Sequence, residues 1–331
     1  MIFLTGGTGF IGSYILTELV RQGYSVRALR RRPALPFFLS PEIAAKTEWV
    51  EGDVLDVSSL QEQLTGCDRI IHAAAIVSFY PDEKRAMFRT NIEGTANLVN
   101  IALEQGIDDF IYISSVAALG RTDQQTTIDE EKKWESGAGQ TNYAISKYHA
   151  EMEVWRGMGE GLRPLVLNPS TVLGFGDWNR GSCAIFRSVY QEYPWYTSGH
   201  NGFVDVEDIA RVVVALMNSP VRNQRFIVSA ENRGFRDLFN KIADEFQKKH
   251  PSLEVNSLLA SLAWRAEKVK SLFTGTRPLL TKETASIASK RVSFDNSRLL
   301  NTLPDFRFTP LDDTIRHACA QYLRHVNGKS S

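Results

Sequence analysis

The sequence has few of the features that would tie it to a disulfide scaffold, a nucleic acid or a membrane. It contains three cysteines, which are odd in number and far apart, so neither a disulfide framework nor a zinc cluster is indicated. Lys plus Arg and Asp plus Glu both total 38, and this balance gives no reason to expect nucleic-acid or acidic-membrane binding. No apolar run approaches the roughly 18 residues of a membrane-spanning helix. We therefore expect no metal site, no nucleic-acid partner and no membrane partner.

The start and the bulk composition of the chain indicate an ordinary globular protein. Met1 precedes the apolar run Ile2-Phe3-Leu4 directly, so we expect neither a secretory nor a transit peptide. The hydrophobic content is 43% and the charged content 23%, as in typical globular domains. We expect a cytoplasmic protein with one large domain or two closely joined ones.

The first half of the chain alternates short apolar runs with amphipathic stretches. The runs that we interpret as strands are 2–5, 25–29, 47–51, 69–74, 110–114 and 164–167. The stretches that we interpret as helices are 12–22, 58–64, 83–105 and 142–158. Because strands alternate with helices, the sequence predicts an α/β fold with a doubly wound (Rossmann) parallel sheet.

The composition and the strand–helix pattern change in the second half of the chain. This half predicts a smaller, discontinuous C-terminal substrate lobe. Residues 170–202 are rich in Gly, Trp and Tyr, whereas residues 203–216 look like a return to the sheet followed by a helix. We expect 1–169 plus about 203–229 to form the dinucleotide-binding domain. The substrate-binding lobe is then formed by 170–202 plus about 230–325.

A glycine-rich turn follows the first predicted strand. Glycines in a G-x-x-G-x-x-G spacing permit a tight turn, let the backbone approach a pyrophosphate and let the next helix pack closely. The start of that helix offers positive charge to the phosphates. The predicted cofactor-binding residues here are Gly6, Gly9, Phe10, Ile11 and Gly12.

The residues after the second strand predict which nicotinamide cofactor is bound. An acidic residue at that place favours NAD, whereas arginine accommodates the 2′-phosphate of NADP. The chain has Arg30-Arg31-Arg32 there and no carboxylate before Glu42. We therefore predict NADP through Arg30 and Arg31, with NAD as the alternative cofactor. Asp53 and Val54, just past the third strand, are predicted neighbours of the adenine.

Tyr143 and Lys147 have the spacing of a proton-transfer pair on one helix face. A tyrosine has an ordinary pKa of about 10, and a nearby lysine stabilises its phenolate. Ser114 and Ser115 end an apolar strand at the carboxyl edge, where ligands bind in open α/β sheets. A serine hydroxyl there can hydrogen-bond a reacting carbonyl.

These motifs together resemble the extended short-chain dehydrogenase/reductases of the NAD-dependent epimerase/dehydratase superfamily, closest to the dihydroflavonol-reductase-like branch. The resemblance covers nearly the whole chain. The matching motifs are the 5–12 turn, Gly52-Asp53, His72-Ala-Ala-Ala75, Asn91-x-x-Gly94-Thr95, Tyr112-x-Ser-Ser115, Tyr143-x-x-x-Lys147, Asn168-Pro169-Ser170 and Phe203-Val-Asp-Val-x-Asp208.

The resemblance implies a role for each matching residue. Tyr143 would be the general acid/base, Lys147 would lower its pKa and hold the ribose hydroxyls, and Ser115 would polarise the carbonyl. The further cofactor contacts that it implies are Ala73, Ala75, Asn91, Pro169 and Thr171. Related proteins often dimerise through the helix before the serine strand and the tyrosine helix, and the sequence leaves monomer and homodimer both open.

Three reactions of this family are separated by particular residues. Similar dehydratases carry acidic residues just after the strand-end serines, and here Ser115 is followed by Val-Ala-Ala-Leu-Gly. Asn168 before Pro169 is compatible with a nucleotide-sugar epimerase using NAD, which stays open as the alternative. The arginines after the second strand favour net reduction of a ketone or aldehyde by an NADP-dependent oxidoreductase. A third hypothesis is a non-catalytic NADP-binding regulator.

Aromatic residues in segments flanking the predicted pocket favour a small apolar or aromatic substrate. Their alternative interpretation is loop packing. The predicted substrate contacts are Phe79, Asn168, Phe175, Trp178 and His200. His72, within an apolar strand, is expected to serve packing.

Overall fold

The computed structural model describes residues 1–120, 127–137, 139–255 and 290–328. Fourteen strands are numbered in chain order in this part of the chain. They are β1 Ile2–Thr5, β2 Val26–Arg30, β3 Glu48–Glu51, β4 Arg69–His72, β5 Asp109–Ile113, β6 Thr127–Ile128, β7 Arg163–Pro169, β8 Thr171–Leu173, β9 Trp195–Tyr196, β10 His200–Asp205, β11 Gln224–Val228, β12 Glu231–Gly234, β13 Leu253–Glu254 and β14 Ser293–Phe294.

Eleven α-helices are numbered in the same described ranges. They are α1 Phe10–Arg21, α2 Pro41–Ala45, α3 Val57–Gln63, α4 Lys84–Phe88, α5 Gly94–Glu104, α6 Asn142–Gly159, α7 Ala184–Tyr190, α8 Val206–Met217, α9 Phe235–Phe246, α10 Ser297–Thr302 and α11 Leu311–Gly328. None of the helices in the described ranges has the length and apolar character needed to cross a bilayer.

Seven strands form one parallel sheet in the order β11-β7-β5-β4-β1-β2-β3. The chain builds outward from β1 through β2 to β3, then crosses to β4 on the other side of β1. The strand order therefore reverses between β1 and β4. In open α/β sheets the ligand crevice lies at the carboxyl ends of the strands flanking such a reversal. The predicted doubly wound α/β fold is confirmed.

The two faces of this sheet are covered by different helices because side chains alternate along each strand. Ile2 and Leu4 of β1 enter the core that also contains residues of α1 and α8, whereas Phe3 enters the core lined by α3, α5 and α6. In β5, Ile111 lies in the first core and Tyr112 in the second. Both faces are buried, as the near-continuous apolar strands predict.

The predicted helix over 83–105 is interrupted in the structure. Between α4 and α5 the residues Arg89–Glu93 form a π-helical turn. The buried Asn91 lies in this turn and hydrogen-bonds outside the helix, and π-turns inside helices often occur at functional sites. Gly94 then allows α5 to approach Val54, because a Cβ at this position would lie 2.6 Å from Val54 Cγ2.

A three-stranded sheet, β12-β10-β8, lies outside the main sheet. The expected return of 203–216 to the main sheet is therefore wrong for the strand: β10 pairs with β8, while β11 takes the place beside β7. The helix that follows, α8, does pack on the main sheet beside α1. A further core, with buried side chains from α7, α9 and α11, adjoins this small sheet.

Candidate active site

The glycine turn is as tight as its sequence predicts. Gly6 has φ +74°, and a Cβ there would lie 2.5 Å from the carbonyl carbon of Ala73, so β1 and the end of β4 meet at this point. A Cβ on Gly12 would lie 2.1 Å from Gly6 O. Gly9 N donates to Gly6 O at 2.8 Å and closes the turn. Only glycine at positions 6 and 12 lets the first turn of α1 lie directly on the preceding loop.

The N-terminus of α1 is available to an anion. Its cap residue Gly9 provides no side-chain hydrogen bond, and no acidic residue lies in the first turn. The first N–H groups of a helix have no partner within the helix. Those of Phe10, Ile11 and Gly12 therefore suit a pyrophosphate, and the turn fits a dinucleotide.

In the run Arg30–Arg32, the first side chain contacts other residues of the protein, and the other two are exposed. Arg30 Nη1 donates to Pro33 O at 3.1 Å, Nη2 lies 3.4 Å from Glu51 Oε1, and the guanidinium lies over the Trp49 ring. Arg31 and Arg32 are exposed, and neither has a hydrogen bond or ion pair with any described residue. The side chain of Arg30 therefore supports the loop, while Arg31 and Arg32 are the cations open to a phosphate.

Six further predicted cofactor neighbours lie just after β3 and β4, at the end of β7 and in β8. Asp53 Oδ1 accepts from Leu55 N at 3.0 Å, and Val54 is buried. Ala73 is partly exposed and Ala75 is exposed. At the end of β7, Pro169 is buried, and Thr171 Oγ1 in β8 accepts from Asn201 Nδ2 at 2.9 Å.

Tyr143 and Ser115 meet at the carboxyl end of β5. Thr141 caps α6, accepting from Ala144 N at 3.0 Å, and this fixes the turn that holds Tyr143. Burial raises the pKa of Tyr143, and the neighbouring Ser115 hydroxyl opposes this rise. The phenol is therefore a proton donor at neutral pH.

Lys147 lies one turn beyond Tyr143 and is 1% exposed. Its Nζ donates to Tyr112 Oη at 2.7 Å and to Ile113 O at 2.9 Å. Burial lowers the pKa of Lys147 to about 7, and the charge of Glu151 opposes this decrease. The proton of this lysine is consequently held only weakly at neutral pH.

Glu151 is a buried carboxylate that the sequence reasoning missed. Its Oε2 accepts from Ser114 Oγ at 2.7 Å and from Asn168 Nδ2 at 2.9 Å. Its Oε1 accepts from Arg225 Nη1 at 3.1 Å and from Trp155 Nε1 at 3.2 Å. Four donors thus compensate for the burial of its charge. The signal in the sequence was its position, another turn along the face that carries Tyr143 and Lys147.

Two predicted contact residues are used inside the protein. Asn168 is fully buried, and its Nδ2 donates to Ser115 O at 3.0 Å as well as to Glu151. Asn91 Nδ2 donates to Ile76 O and to Ser146 Oγ, both at 3.0 Å. These amides position the serine and the end of β4; their amide N–H groups are already used by protein acceptors.

The predicted substrate aromatics fall into two places. Phe79 contacts Tyr143 edge to face, with ring centroids 6.0 Å apart, while Val77 nearby is 55% exposed. Phe175 packs on Tyr322 at 5.0 Å, and Trp178 stacks on the same ring at 5.3 Å. The structure therefore brings Phe79 to the tyrosine, whereas the other two rings contribute to the core of the lobe.

His200 and His72 differ in their surroundings. His200 is partly exposed in β10, and its Nδ1 lies 3.3 Å from Val292 O. His72 is fully buried, as expected, but it is hydrogen-bonded at both ring nitrogens: Nδ1 lies 2.7 Å from Thr5 Oγ1 and Nε2 lies 2.9 Å from Thr95 Oγ1. Burial lowers the pKa of His72 to about 3, so the ring is neutral.

A glycine turn at the reversal of a parallel sheet, beside a partly buried tyrosine and a buried lysine one helical turn apart, defines a dinucleotide-binding α/β protein. The chain belongs to the NAD-dependent epimerase/dehydratase family, whose model matches residues 2–228. It is thus an enzyme of the NAD(P)-binding short-chain dehydrogenase/reductase superfamily, and the predicted resemblance is confirmed.

The proteins that are similar to this chain in sequence include reductases, and the solved structures that share its fold include epimerases. A putative dihydroflavonol 4-reductase of Synechocystis sp. is 30% identical, covering 91% of this chain and 88% of the relative. Cinnamoyl-CoA reductase 1 of Petunia hybrida is 28% identical, covering 76% and 78%. The crystal structure of gox2253 has a TM-score of 0.81 at 27% identity, covering 98% of each chain. UDP-glucose 4-epimerase of Thermotoga maritima shares the fold, with a TM-score of 0.79 at 17% identity, covering 98% and 99%.

Proposed function

We propose that this protein is an NADP-dependent carbonyl reductase/alcohol dehydrogenase that acts on a ketone or aldehyde of a small apolar or aromatic compound. The observation that carries the proposal is the placement of Tyr143 beside Ser115 at the carboxyl end of β5, with Lys147 buried one helical turn away. The reductase names of the sequence relatives support the same class of reaction. When bound, NADPH supplies the hydride for the reduction.

The two hydroxyl groups of Ser115 and Tyr143 are placed to hold the oxygen of a carbonyl. Ser115 donates a hydrogen bond that polarises the carbonyl, and Tyr143 delivers its proton to that oxygen as negative charge develops there. The ammonium of Lys147 stabilises the resulting phenolate. Because its pKa is raised, Tyr143 stays protonated at neutral pH until the proton is transferred to the carbonyl oxygen.

The preference for NADP rests on Arg31 and Arg32. Their guanidinium groups are exposed and have no partner among the described residues, so they can hold a 2′-phosphate in bidentate fashion. Gly6, Gly9 and Gly12 would hold the pyrophosphate, and Ala73 and Ala75 would border the cofactor. The lobe formed by 170–202 and about 230–325 would complete the substrate site beside Phe79.

The test is calorimetric titration of the apo-protein with NADPH and NADH, followed by NADPH oxidation with aryl and alkyl carbonyls. We expect a strong preference for NADPH, which Arg31→Ser with Arg32→Ser abolishes and the distant Arg163→Ser leaves intact. Tyr143→Phe should lower turnover at least about 100-fold, because it removes the proton donor, and should spare NADPH binding. Near-normal turnover of Tyr143→Phe would reject the assignment. Retained NAD, or a preference for NADH, would favour a nucleotide-sugar epimerase.

A further inference from the structure

The arginine loop, residues 31–40 between β2 and α2, is braced from within. Arg30 Nη1, at the end of β2, donates to Pro33 O at 3.1 Å. Leu39 N donates to Pro36 O at 3.0 Å, and the Leu39 side chain is buried in the core beside α1. The two prolines fix their own φ angles, so the loop has few free dihedrals.

Phe37 at the tip of this loop is attached to segments that are distant in sequence. Its ring stacks on His325 of α11, with centroids 4.3 Å apart and an angle of 18° between the ring planes. It also meets Phe175 edge to face at 5.7 Å. The next residue, Phe38, meets Phe10 at the start of α1 edge to face at 6.5 Å. Phe37 thus has ring partners on both α11 and the segment after β8, although it is 51% exposed.

The anchor that receives Phe37 is itself fixed. Phe175 O accepts from Tyr14 Oη of α1 at 2.8 Å, and the Phe175 ring packs on the buried Tyr322 at 5.0 Å. Aromatic pairs of this geometry stabilise beyond the area that they bury. The tip of the arginine loop is therefore held against a part of the protein that is tied to α1.

Arg31 and Arg32 lie between the two points at which the loop is held. One point is the hydrogen bond from Arg30 to Pro33, and the other is the ring of Phe37. Both arginines are exposed and have no hydrogen bond or ion pair with a described residue. A loop that is ordered before binding spares the ligand the cost of ordering it.

We propose that Phe37 is a positioning residue that presents Arg31 and Arg32 to the 2′-phosphate of NADP. Its ring, in contact with both His325 and Phe175, holds the arginine loop in place before the cofactor arrives. This inference rests on the proposed preference for NADP and extends it to a contact between the loop and α11. NADH has no 2′-phosphate, so its affinity does not depend on Phe37.

The decisive variant is Phe37→Ala, and the measurement is calorimetric titration of the apo-protein with NADPH and NADH. We expect the Kd of NADPH to rise about fivefold to tenfold, which corresponds to the loss of one or two aromatic pairs. The Kd of NADH should stay close to the wild-type value, so the preference for NADPH falls. Phe37→Tyr, which keeps the ring, should retain the wild-type preference.

Tyr193→Ala is the matched control. It also removes a ring from a half-exposed position, but this ring lies after α7 and makes no ring contact with any described residue. It should leave both affinities unchanged. His325→Ala removes the other ring of the stack and should lower the preference for NADPH as Phe37→Ala does. Added to Phe37→Ala, it should have little further effect, because both substitutions remove the same contact.

The contact itself is measured without cofactor or substrate, by NMR of the His325 imidazole protons, assigned by their loss in His325→Ala. Protons above an aromatic ring are shifted upfield by its ring current. The His325 signals should therefore move downfield in Phe37→Ala and stay in place in Tyr193→Ala.

A Phe37→Ala protein with the wild-type preference for NADPH, or with unmoved His325 signals, overturns the inference. An equal loss of affinity for NADPH and NADH also overturns it, because the contact would then support the crevice as a whole. If the wild-type protein binds NADPH no more tightly than NADH, the proposed cofactor fails and the inference fails with it. If the wild-type protein prefers NADPH but reduces no carbonyl, while Phe37→Ala loses the preference, the reductase proposal fails and the role of Phe37 stands.

Discussion

At the scale of single residues, the glycine turn contains glycines with different requirements. Gly12 has no room for a side chain, because a Cβ would lie 2.1 Å from Gly6 O. Gly7, in the same turn, has ordinary van der Waals space: its Cβ would lie 3.4 Å from Leu4 Cδ2 and 3.5 Å from Ala28 Cβ. Gly7 also lies outside the positive-φ region that Gly6 adopts. The sequence pattern does not distinguish these glycines. The packing does, because it leaves room for a Cβ at Gly7 and none at Gly12.

Gly12→Ala is therefore expected to displace the start of α1 and to destabilise the protein by about 1–3 kcal/mol. NADPH binding should be lost even at temperatures where the variant is folded, because the N–H groups of the first turn move. Gly7→Ala is the control and should change the free energy of unfolding by less than about 1 kcal/mol. Denaturant unfolding and calorimetric titration measure both quantities. Equal effects of the two substitutions would contradict this description of the turn.

At the scale of elements, one face of α6 carries the chemistry and its support. Tyr143 faces Ser115, Lys147 contacts the end of β5, and Glu151 collects donors from three other segments. The three residues are spaced four positions apart along the helix. The helix thus anchors the serine strand through Glu151 while it presents Tyr143.

Glu151→Gln is expected to destabilise the protein by about 3 kcal/mol, because Arg225 and three further donors lose a buried carboxylate. The pKa of Lys147, lowered to about 7 by burial, should fall further, since the charge of Glu151 that opposes the effect of burial is removed. Urea unfolding and an NMR pH titration of the Lys147 side chain, assigned by its loss in Lys147→Met, provide the measurements. Glu153→Gln on the same helix breaks a partly exposed pair with Arg156 and should cost less than about 1 kcal/mol. If the two variants were equally stable, Glu151 would not be the anchor described.

At the scale of the whole molecule, His72 links stability to pH. Its pKa is lowered from 6.5 to about 3 in the folded state by burial, so below pH 6.5 the unfolded chain binds a proton that the folded protein does not. Its contribution is fully present above pH 6.5 and is lost as the pH falls toward 3, by about 1.4 kcal/mol per unit. Asp205 acts in the opposite sense, because burial raises its pKa to about 6.

Comparison with His72→Gln isolates this term, because Asp205 is common to both proteins. Between pH 7 and pH 5 the wild-type protein should lose about 2 kcal/mol more stability than His72→Gln. Urea unfolding of the cofactor-free proteins across this range is the measurement. His149→Gln, at an exposed position on α6, should follow the wild-type curve. Parallel curves for wild type and His72→Gln would show that His72 is not kept neutral by burial.

Local patterns in the sequence determined most of the nucleotide-binding half. Residues 2–5 form the predicted strand without change, and the helices over 10–21, 57–63 and 142–159 differ from the predictions by one or two residues at their ends. These elements are specified by apolar periodicity, glycine spacing and capping, all of which act within a few residues. The spacing of Tyr143 and Lys147 is of the same kind. The family resemblance rests on such local motifs.

Tertiary structure alone decided which polar side chains meet. The sequence could not indicate that Asn168 and Asn91 turn inward, that Arg30 is engaged by the next strand while Arg31 stays exposed, or that β10 leaves the main sheet because β11 occupies the place beside β7. Each outcome depends on partners that are distant in sequence. A buried hydrogen bond requires two particular atoms to approach each other, whereas an apolar face can be buried against many different partners. The periodicity that predicts a helix therefore does not predict the polar contacts of that helix.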